Sequence, residues 1–163
     1  MNSLEAKNLD GWAIPKEAFN WITDNLPKNS TILELGSGTG TIELVKHYTV
    51  YSIEHQKQWV GEASRSNYIY APLKTYGGVF NWYDNHYLNN LPKDYDLLLI
   101  DGPIGKDRLN FLNFTHLFKT DIPYVIDDTN RPEDRKMAIC LSEILNKEII
   151  EIKGWEKEMI ILL

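Results

Sequence analysis

The stretch that decides the fold is Thr31-Ile-Leu-Glu-Leu-Gly-Ser-Gly-Thr-Gly40. Its first five residues form a short apolar run, which predicts a buried β-strand, and glycines follow at positions 36, 38 and 40. Glycine permits positive φ and lacks the Cβ that would keep a ligand away from the backbone. Residues 41–47 then predict a helix whose amide end points toward the same turn. Strand, glycine loop and helix together predict a binding site for a polar or charged ligand.

Outward from this stretch, strand-like and helix-like segments alternate almost to the end of the chain. Short apolar runs rich in β-branched or aromatic residues predict buried parallel strands at residues 31–35, 49–54, 67–70, 95–101 and 122–127. Apolar residues at helical spacing predict helices at residues 15–26, 41–47, 56–63, 107–118 and 132–145. Residues 148–152 and 158–163 predict two further strands, and the short connection between them favours an antiparallel hairpin.

The order of these segments predicts an α/β fold in which residues 1–163 form one domain. We expect a doubly wound, mostly parallel seven-stranded sheet with a C-terminal antiparallel β-hairpin. In such sheets, ligands bind beyond the carboxyl ends of the strands, near the point where the strand order reverses. The side chains that end strands are therefore the first candidates for a functional site.

Composition and charge narrow the range of partners. The 163 residues include 17 basic and 23 acidic side chains, a formal net charge of -6. Such a chain lacks the broad basic face that bulk nucleic acid requires, whereas a small nucleotide-like ligand held by backbone amides is compatible with it. The single cysteine, Cys140, cannot form an internal disulfide. No apolar run is long enough to span a bilayer, so we expect a soluble cytoplasmic protein that does not bind membranes.

The glycine loop and the next strand end resemble a known family. Glu34-Leu-Gly-Ser-Gly-Thr-Gly40 resembles the first motif of class I S-adenosylmethionine-dependent methyltransferases, E/D-x-G-x-G-x-G. Glu54 ends the following predicted strand, where a carboxylate suits the two hydroxyls of a ribose. The predicted C-terminal hairpin matches the extra antiparallel strand of that family. The resemblance extends from about Pro15 to Leu163 and implies a Rossmann-like fold, S-adenosylmethionine as cofactor, and methyl transfer.

The same resemblance implies a role for each residue around the loop. Glu34 would orient the loop or contact the methionine ammonium, and Glu54 would bind the ribose. His55 would lie near the adenine edge, together with the end of the third strand. The full set of implied cofactor contacts is Glu34, Gly36, Ser37, Gly38, Gly40, Glu54, His55, Tyr70, Ala71 and Asp101. Trp12, just before the first helix, would cover the methionine end.

Two other function classes were weighed against methyl transfer. A dinucleotide-dependent oxidoreductase would carry G-x-G-x-x-G, which requires a glycine at position 41, where this chain has threonine. A non-catalytic module that binds S-adenosylmethionine for a partner would have no need of the acids that end the fourth and fifth strands. The residues therefore favour an enzyme.

Three carboxylates end the fourth and fifth predicted strands: Asp101, Asp127 and Asp128. Parallel strand ends meet at one crevice, where such charges repel one another unless they are protonated, paired or bound to a cation. Their placement resembles the metal site of the catechol and macrocin O-methyltransferase groups, which implies Mg2+ and methyl transfer to oxygen. The alternative is neutralisation without metal by the nearby Arg131 and Arg135, and the sequence leaves both open.

The chain departs from both groups where they place a polar residue after the first acid. Ile104 replaces the lysine of the catechol type, and Pro103 replaces the aspartate of the macrocin type. The general base is therefore open, and we assign the catalytic role to Asp101, His86 and Lys106. The segments 101–105 and 127–131 resemble methyltransferases associated with glycans, which implies a small polar or glycan-like acceptor. Either the pocket is shallow or a second copy in a homo-oligomer completes it.

Overall fold

The computed structural model describes residues 14–163, so the expectation for Trp12 lies outside the described part of the chain. Its strands are β1 (Thr31–Leu35), β2 (Thr49–Glu54), β3 (Asn67–Tyr70), β4 (Leu73–Tyr76), β5 (Phe80–Tyr83), β6 (Leu97–Ile100), β7 (Tyr124–Ile126), β8 (Ile149–Lys153) and β9 (Glu158–Leu162). Its α-helices are α1 (Lys16–Asn25), α2 (Thr39–Leu44) and α3 (Pro132–Leu145).

Seven strands form one mixed sheet in the order β3-β2-β1-β6-β7-β9-β8. The first five strands in this order pair in parallel: β3, β2, β1, β6 and β7. Strand β9 pairs antiparallel with both β7 and β8, which confirms the predicted C-terminal hairpin. The strand order reverses at β1, which lies between β2 and β6. The predicted α/β fold is therefore confirmed, and its reversal point coincides with the glycine loop.

Apolar side chains cover both faces of the sheet, as a parallel sheet requires. On one face, Ile22 of α1 and Leu44 of α2 pack with Ile32 of β1. On the other face, Met137 of α3 packs in the same core as Leu98 of β6. Helix α3 begins at Pro132, as predicted from the fixed φ of proline, and its first turn carries the acids that suit the positive end of a helix dipole.

Two of the predicted helices are wrong. Residues 56–63 contain only a 3-10 turn at Lys57–Trp59, and Gly61 follows it with a φ of 95° that ends any helix. Residues 107–118 form 3-10 segments at Gly105–Asn113 and Thr115–Leu117. Phe114 lies between these segments and stacks on Trp82, with the ring centroids 5.4 Å apart. Tertiary packing of the aromatic rings therefore outweighs the helical spacing.

The hairpin of β4 and β5 was not predicted. Its strands pair antiparallel across the Gly77-Gly78 turn, in which both glycines have positive φ. Trp82 and Tyr83 lie in β5 and are fully buried. The hairpin packs against the same face of the sheet as α3 and fills the place where a helix would lie in a regular βα repeat.

Within residues 14–163, no helix has both the length and the apolar character needed to cross a membrane.

Candidate functional site

A cavity of about 490 Å³ opens at the carboxyl ends of β1, β2 and β6, where the strand order reverses. This volume lies in the range typical of small-ligand sites, and the position is the usual one for ligands in doubly wound sheets. The lining residues are Gly36, Ser37, Gly38, Glu54, His55, Gln56, Gln58, Trp59, Asp101, Gly102, Ile104, Gly105, Arg108, Asp128, Arg131 and Lys157. A narrow hollow beside it is lined by residues that include Glu34, Gly36, Gly40 and Asp101.

The glycine loop forms one wall of the cavity with bare backbone. Gly36 has a φ of 85°, and a Cβ at this position would lie 3.0 Å from the Asp101 carbonyl carbon and 3.0 Å from the Gly102 nitrogen. The loop therefore crosses the end of β6 at a distance that only glycine allows. This close approach brings the ends of β1 and β6 together, so that Asp101 borders both the cavity and the narrow hollow.

Glu34 supports the glycine loop from below. Its Oε1 accepts hydrogen bonds from the hydroxyls of Thr41 (2.7 Å) and Ser52 (2.5 Å), and the Thr41 hydroxyl in turn accepts one from the Gly38 N–H (3.0 Å). Burial raises the pKa of Glu34 from 4.5 to about 7, although the bonds from Ser52 and Thr41 act in the opposite direction. The sequence predicted Glu34 either to organise the loop or to contact a ligand, and these contacts serve the first role.

Glu54 presents its carboxylate to the cavity in a fixed orientation. The Ser37 N–H donates to Oε2 (2.9 Å) and the Gln56 N–H donates to Oε1 (2.6 Å). The remaining contacts come from movable side chains, the Ser37 hydroxyl at 3.0 Å and His55 Nδ1 at 3.2 Å. Burial by itself would raise the pKa of Glu54, but the hydrogen bonds outweigh it and the pKa lies below its ordinary value. Glu54 is therefore an ionised acceptor held by two backbone amides.

The other residues predicted near an adenine separate into two groups. His55 lines the cavity, and its ring packs edge-on to that of Tyr83 at a centroid distance of 6.0 Å. Tyr70 is 39% exposed, Ala71 is fully buried, and neither borders the cavity. Gln58 and Trp59, which the resemblance did not imply, do line the cavity. Trp59 lies in the predicted helix 56–63, but the structure has a 3-10 turn there, and Trp59 lines the cavity.

The three strand-end acids converge as expected. Ligand oxygens of Asp101, Asp127 and Asp128 all lie within 4.8 Å of one another. Asp127 and Asp128 are buried, whereas the Asp101 side chain is 27% exposed. Burial raises the pKa of Asp101 well above its usual range, and the neighbouring Asp127 adds to this effect. Carboxylates packed this closely must be protonated, paired or bound to a cation.

Arg108 supplies the first of these cations from inside the protein. Its guanidinium group is 3% exposed and reaches Asp101 at 3.2 Å, Asp128 at 3.4 Å and Asp134 at 3.5 Å. It also donates to the backbone carbonyls of Asp101 (2.6 Å) and Asp127 (3.2 Å). Burial by itself would lower the pKa of Arg108, but the surrounding carboxylates raise it, so the side chain is a permanent cation.

Lys157 and Arg131 supply further positive charge at the cavity wall. The Lys157 Nζ lies 3.1 Å from Asp127 Oδ2 and 3.4 Å from Asp128 Oδ1. Arg131 lies 2.9 Å from Asp128 Oδ2 and is half exposed. The sequence indicates Arg131 as a neutralising partner but gives no sign of Lys157, because no local pattern relates the β8–β9 connection to the end of β7.

Two predicted catalytic residues are not brought into the site. His86 and Lys106 are exposed, and neither lines the cavity. His86 follows β5, and its backbone N–H donates to Asp84 at 3.1 Å on the outer side of the hairpin. Lys106 begins the 3-10 segment that carries Arg108 inward, and its own side chain points to solvent. Of the three residues assigned to catalysis, only Asp101 borders the cavity.

Comparison with known proteins places this geometry in a fold family. No family model and no curated protein matches the chain. Among solved structures, a precorrin-8w decarboxylase from Methanobacterium thermoautotrophicum is 15% identical, with a TM-score of 0.57 over 90% of this chain and 87% of that one. A TehB-like S-adenosylmethionine-dependent methyltransferase from Corynebacterium glutamicum is also 15% identical, with a TM-score of 0.54 over 88% and 84%. The fold is that of the class I methyltransferases.

A third solved structure with this methyltransferase fold contains the cofactor. It is an O-methyltransferase from Streptomyces achromogenes, involved in tomaymycin synthesis and in complex with S-adenosylmethionine. It is 14% identical to this chain, with a TM-score of 0.53 over 83% of this chain and 74% of that one. At these identities the likeness establishes the fold, and the chemistry of this chain has to be argued from its own residues.

Proposed function

We propose that the protein is an enzyme that binds S-adenosylmethionine and transfers its methyl group to an oxygen of a small polar or glycan-like acceptor. The observation that carries the proposal is the Glu54 carboxylate, ionised and fixed at the cavity edge by two backbone amides. Among residues 14–163, each carboxylate oxygen has one further contact, and that contact comes from a side chain that can move away. These side chains are Ser37 on Oε2 and His55 on Oε1. Two adjacent ribose hydroxyls can take these positions, one on each oxygen.

The rest of the cavity suits the other parts of the cofactor. The bare backbone from Gly36 to Gly38 admits the methionine chain, and the narrow hollow beside Glu34 lies where its ammonium group would point. Trp59 and His55 also line the cavity, and a flat base can pack against their rings.

Asp101 is the residue best placed for the chemistry. When bound, S-adenosylmethionine supplies an electrophilic methyl group on its sulfonium, and the remaining work is positioning and proton removal. Asp101 borders both the cavity and the narrow hollow, so its carboxyl lies beside the position proposed for the cofactor. In the proposed reaction, the acceptor oxygen bonds to the methyl carbon, the carbon–sulfur bond breaks toward sulfur, and Asp101 receives the hydroxyl proton.

The predicted Mg2+ has no part in this proposal. Each of the three carboxylates that would bind it already contacts Arg108 or Lys157 at 3.1–3.4 Å, so these residues do not fit a divalent ion as they are arranged.

Calorimetric titration with S-adenosylhomocysteine and with NAD tests the proposal. We expect binding of S-adenosylhomocysteine only, and Glu54→Gln should weaken it about 10- to 100-fold, since a charge-assisted hydrogen bond contributes roughly 1.5–3 kcal/mol. Glu62→Gln, at an exposed position after the same strand, should leave it unchanged. Binding of NAD without S-adenosylhomocysteine would support an oxidoreductase instead.

A methyl-labelled cofactor incubated with a panel of hydroxyl compounds and oligosaccharides then tests catalysis. Transfer to a hydroxyl oxygen that is lost in Asp101→Asn, with S-adenosylhomocysteine binding intact, is the expected result. Transfer to nitrogen or carbon would contradict the proposed acceptor atom.

A further inference from the structure

The β8–β9 connection holds Lys157 in place through its backbone. The Lys157 carbonyl accepts a hydrogen bond from the Gly154 N–H (2.9 Å), which closes the hairpin turn. The carbonyl of the next residue, Glu158, accepts one from the Thr129 N–H (2.8 Å), which ties the hairpin to the loop after β7. Two backbone contacts therefore fix the chain at Lys157 and at Glu158, and they hold the Lys157 side chain opposite Asp127 and Asp128.

The Lys157 ammonium shares its acid partners with Arg108. Lys157 contacts Asp127 Oδ2 and Asp128 Oδ1, whereas Arg108 contacts Asp128 Oδ2 and Asp101 Oδ1. The two cations thus contact four of the six carboxylate oxygens of these acids, including both oxygens of Asp128. Arg108 cannot leave easily, because its guanidinium is almost fully buried and also bonds to backbone carbonyls of two strand ends.

A divalent ion shared by Asp127 and Asp128 would compete with Lys157, because Asp127 Oδ1 is the one oxygen of this pair without a cation contact among residues 14–163. Mg2+ binds carboxylate oxygens at about 2.1 Å in an octahedral arrangement. An ion shared by Asp127 and Asp128 would lie against the oxygens that Lys157 Nζ contacts at 3.1 and 3.4 Å. Such an ion would lie close to the Lys157 ammonium, and the two positive charges would repel each other beside the fully buried Asp127, where solvent screening is weak. Lys157 and a divalent ion at this position therefore compete.

We propose that the ammonium group of Lys157, backed by Arg108, is the resident cation of this carboxylate cluster in place of a divalent metal, so that methyl transfer needs no metal.

The consequence for the acceptor rests on the proposed function. An ammonium group has three N–H donors, and two are directed at Asp127 and Asp128. Among residues 14–163 the third N–H has no partner, and in the cavity that Lys157 lines it can donate to an oxygen of the acceptor.

Binding of Mn2+, measured by the loss of the free-ion signal in electron paramagnetic resonance, tests the proposal on the full chain. We expect no binding by the wild type at millimolar Mn2+ and binding by Lys157→Met, because the acids then lack their cation. Lys157→Arg retains the charge and should not bind. Lys153→Met is the matched control, since Lys153 is exposed on the same hairpin, and it should behave as the wild type.

Stoichiometric Mn2+ binding by the wild type that is lost in Asp127→Asn would overturn the proposal. A folded Lys157→Met that does not bind Mn2+ would also overturn it, because the acids would then offer no cation position for Lys157 to occupy. Should Lys157→Met fail to fold, Lys157→Gln replaces it in the same measurement. The Mn2+ result does not depend on S-adenosylhomocysteine binding, so failure of the proposed function and failure of this inference are distinguishable.

Discussion

Replacing Arg108 with methionine should destabilise the protein more than any surface change. The substitution keeps a side chain of similar length but removes three ion pairs, to Asp101, Asp128 and Asp134, and two bonds to backbone carbonyls. Among residues 14–163, Asp128 keeps Lys157 and Arg131 as partners, whereas Asp101 and Asp134 have no other ion pair.

Leaving a buried charge without its partner costs about 3–5 kcal/mol, which for a chain of this size lowers Tm by roughly 6–20 °C. The loss should be smaller at pH 5 than at pH 8. Burial raises the pKa of Asp134 to about 6 even in the presence of Arg108, and without the guanidinium the carboxyl takes up its proton at still higher pH. As the pH falls, the unpaired acids become neutral and the penalty is reduced.

Urea unfolding followed by far-ultraviolet circular dichroism at both pH values measures this effect. Arg65→Met is the control, because Arg65 is exposed, and it should change the free energy of unfolding by less than about 0.5 kcal/mol. A loss below about 1 kcal/mol in Arg108→Met, or an equal loss at pH 5 and pH 8, would refute the view that Arg108 neutralises the strand-end acids.

Two further predictions concern the glycine loop and its support. The pKa of Glu34 rises from 4.5 to about 7 on folding, so between these pH values the folded state holds a proton that the unfolded chain has released. The contribution of this group to the free energy of unfolding therefore falls by about 3 kcal/mol as the pH rises through this range. Glu34→Gln should flatten that slope in urea titrations from pH 4.5 to 8, and an unchanged slope would contradict the assignment. Gly36→Ala should cost at least about 1 kcal/mol more than Gly78→Ala in thermal unfolding, because both have positive φ but only Gly36 is crowded by the end of β6. Equal losses would contradict the close approach.

The sheet could be predicted because its strands are short apolar runs that local patterns reveal. The apolar runs predicted β1, β2, β3, β6 and β7 and their parallel direction but not their order in the sheet, and the final hairpin follows from a connection too short for a helix. The β4–β5 hairpin was missed although Gly77-Gly78 is a turn signal. Its aromatic residues do not alternate with polar ones, because the core takes up both Trp82 and Tyr83.

The sequence predicted the glycine loop of the candidate site, but it did not predict most of the side chains that line it. The glycine loop and Glu54 come from consecutive elements, so their meeting follows from the parallel order of β1 and β2. Arg108 and Lys157 reach the acids from a 3-10 segment and from a hairpin turn, and the direction of both depends on packing. His86 and Lys106 were candidates on chemistry alone, and the turns that carry them point outward.

A crystal structure of the protein in complex with S-adenosylhomocysteine tests the central claim most directly. We predict that the two ribose hydroxyls lie about 2.7 Å from the two carboxylate oxygens of Glu54, with the amino-acid portion against Gly36 and Gly38. A nucleoside bound elsewhere, or one whose ribose makes no contact with Glu54, would contradict the account.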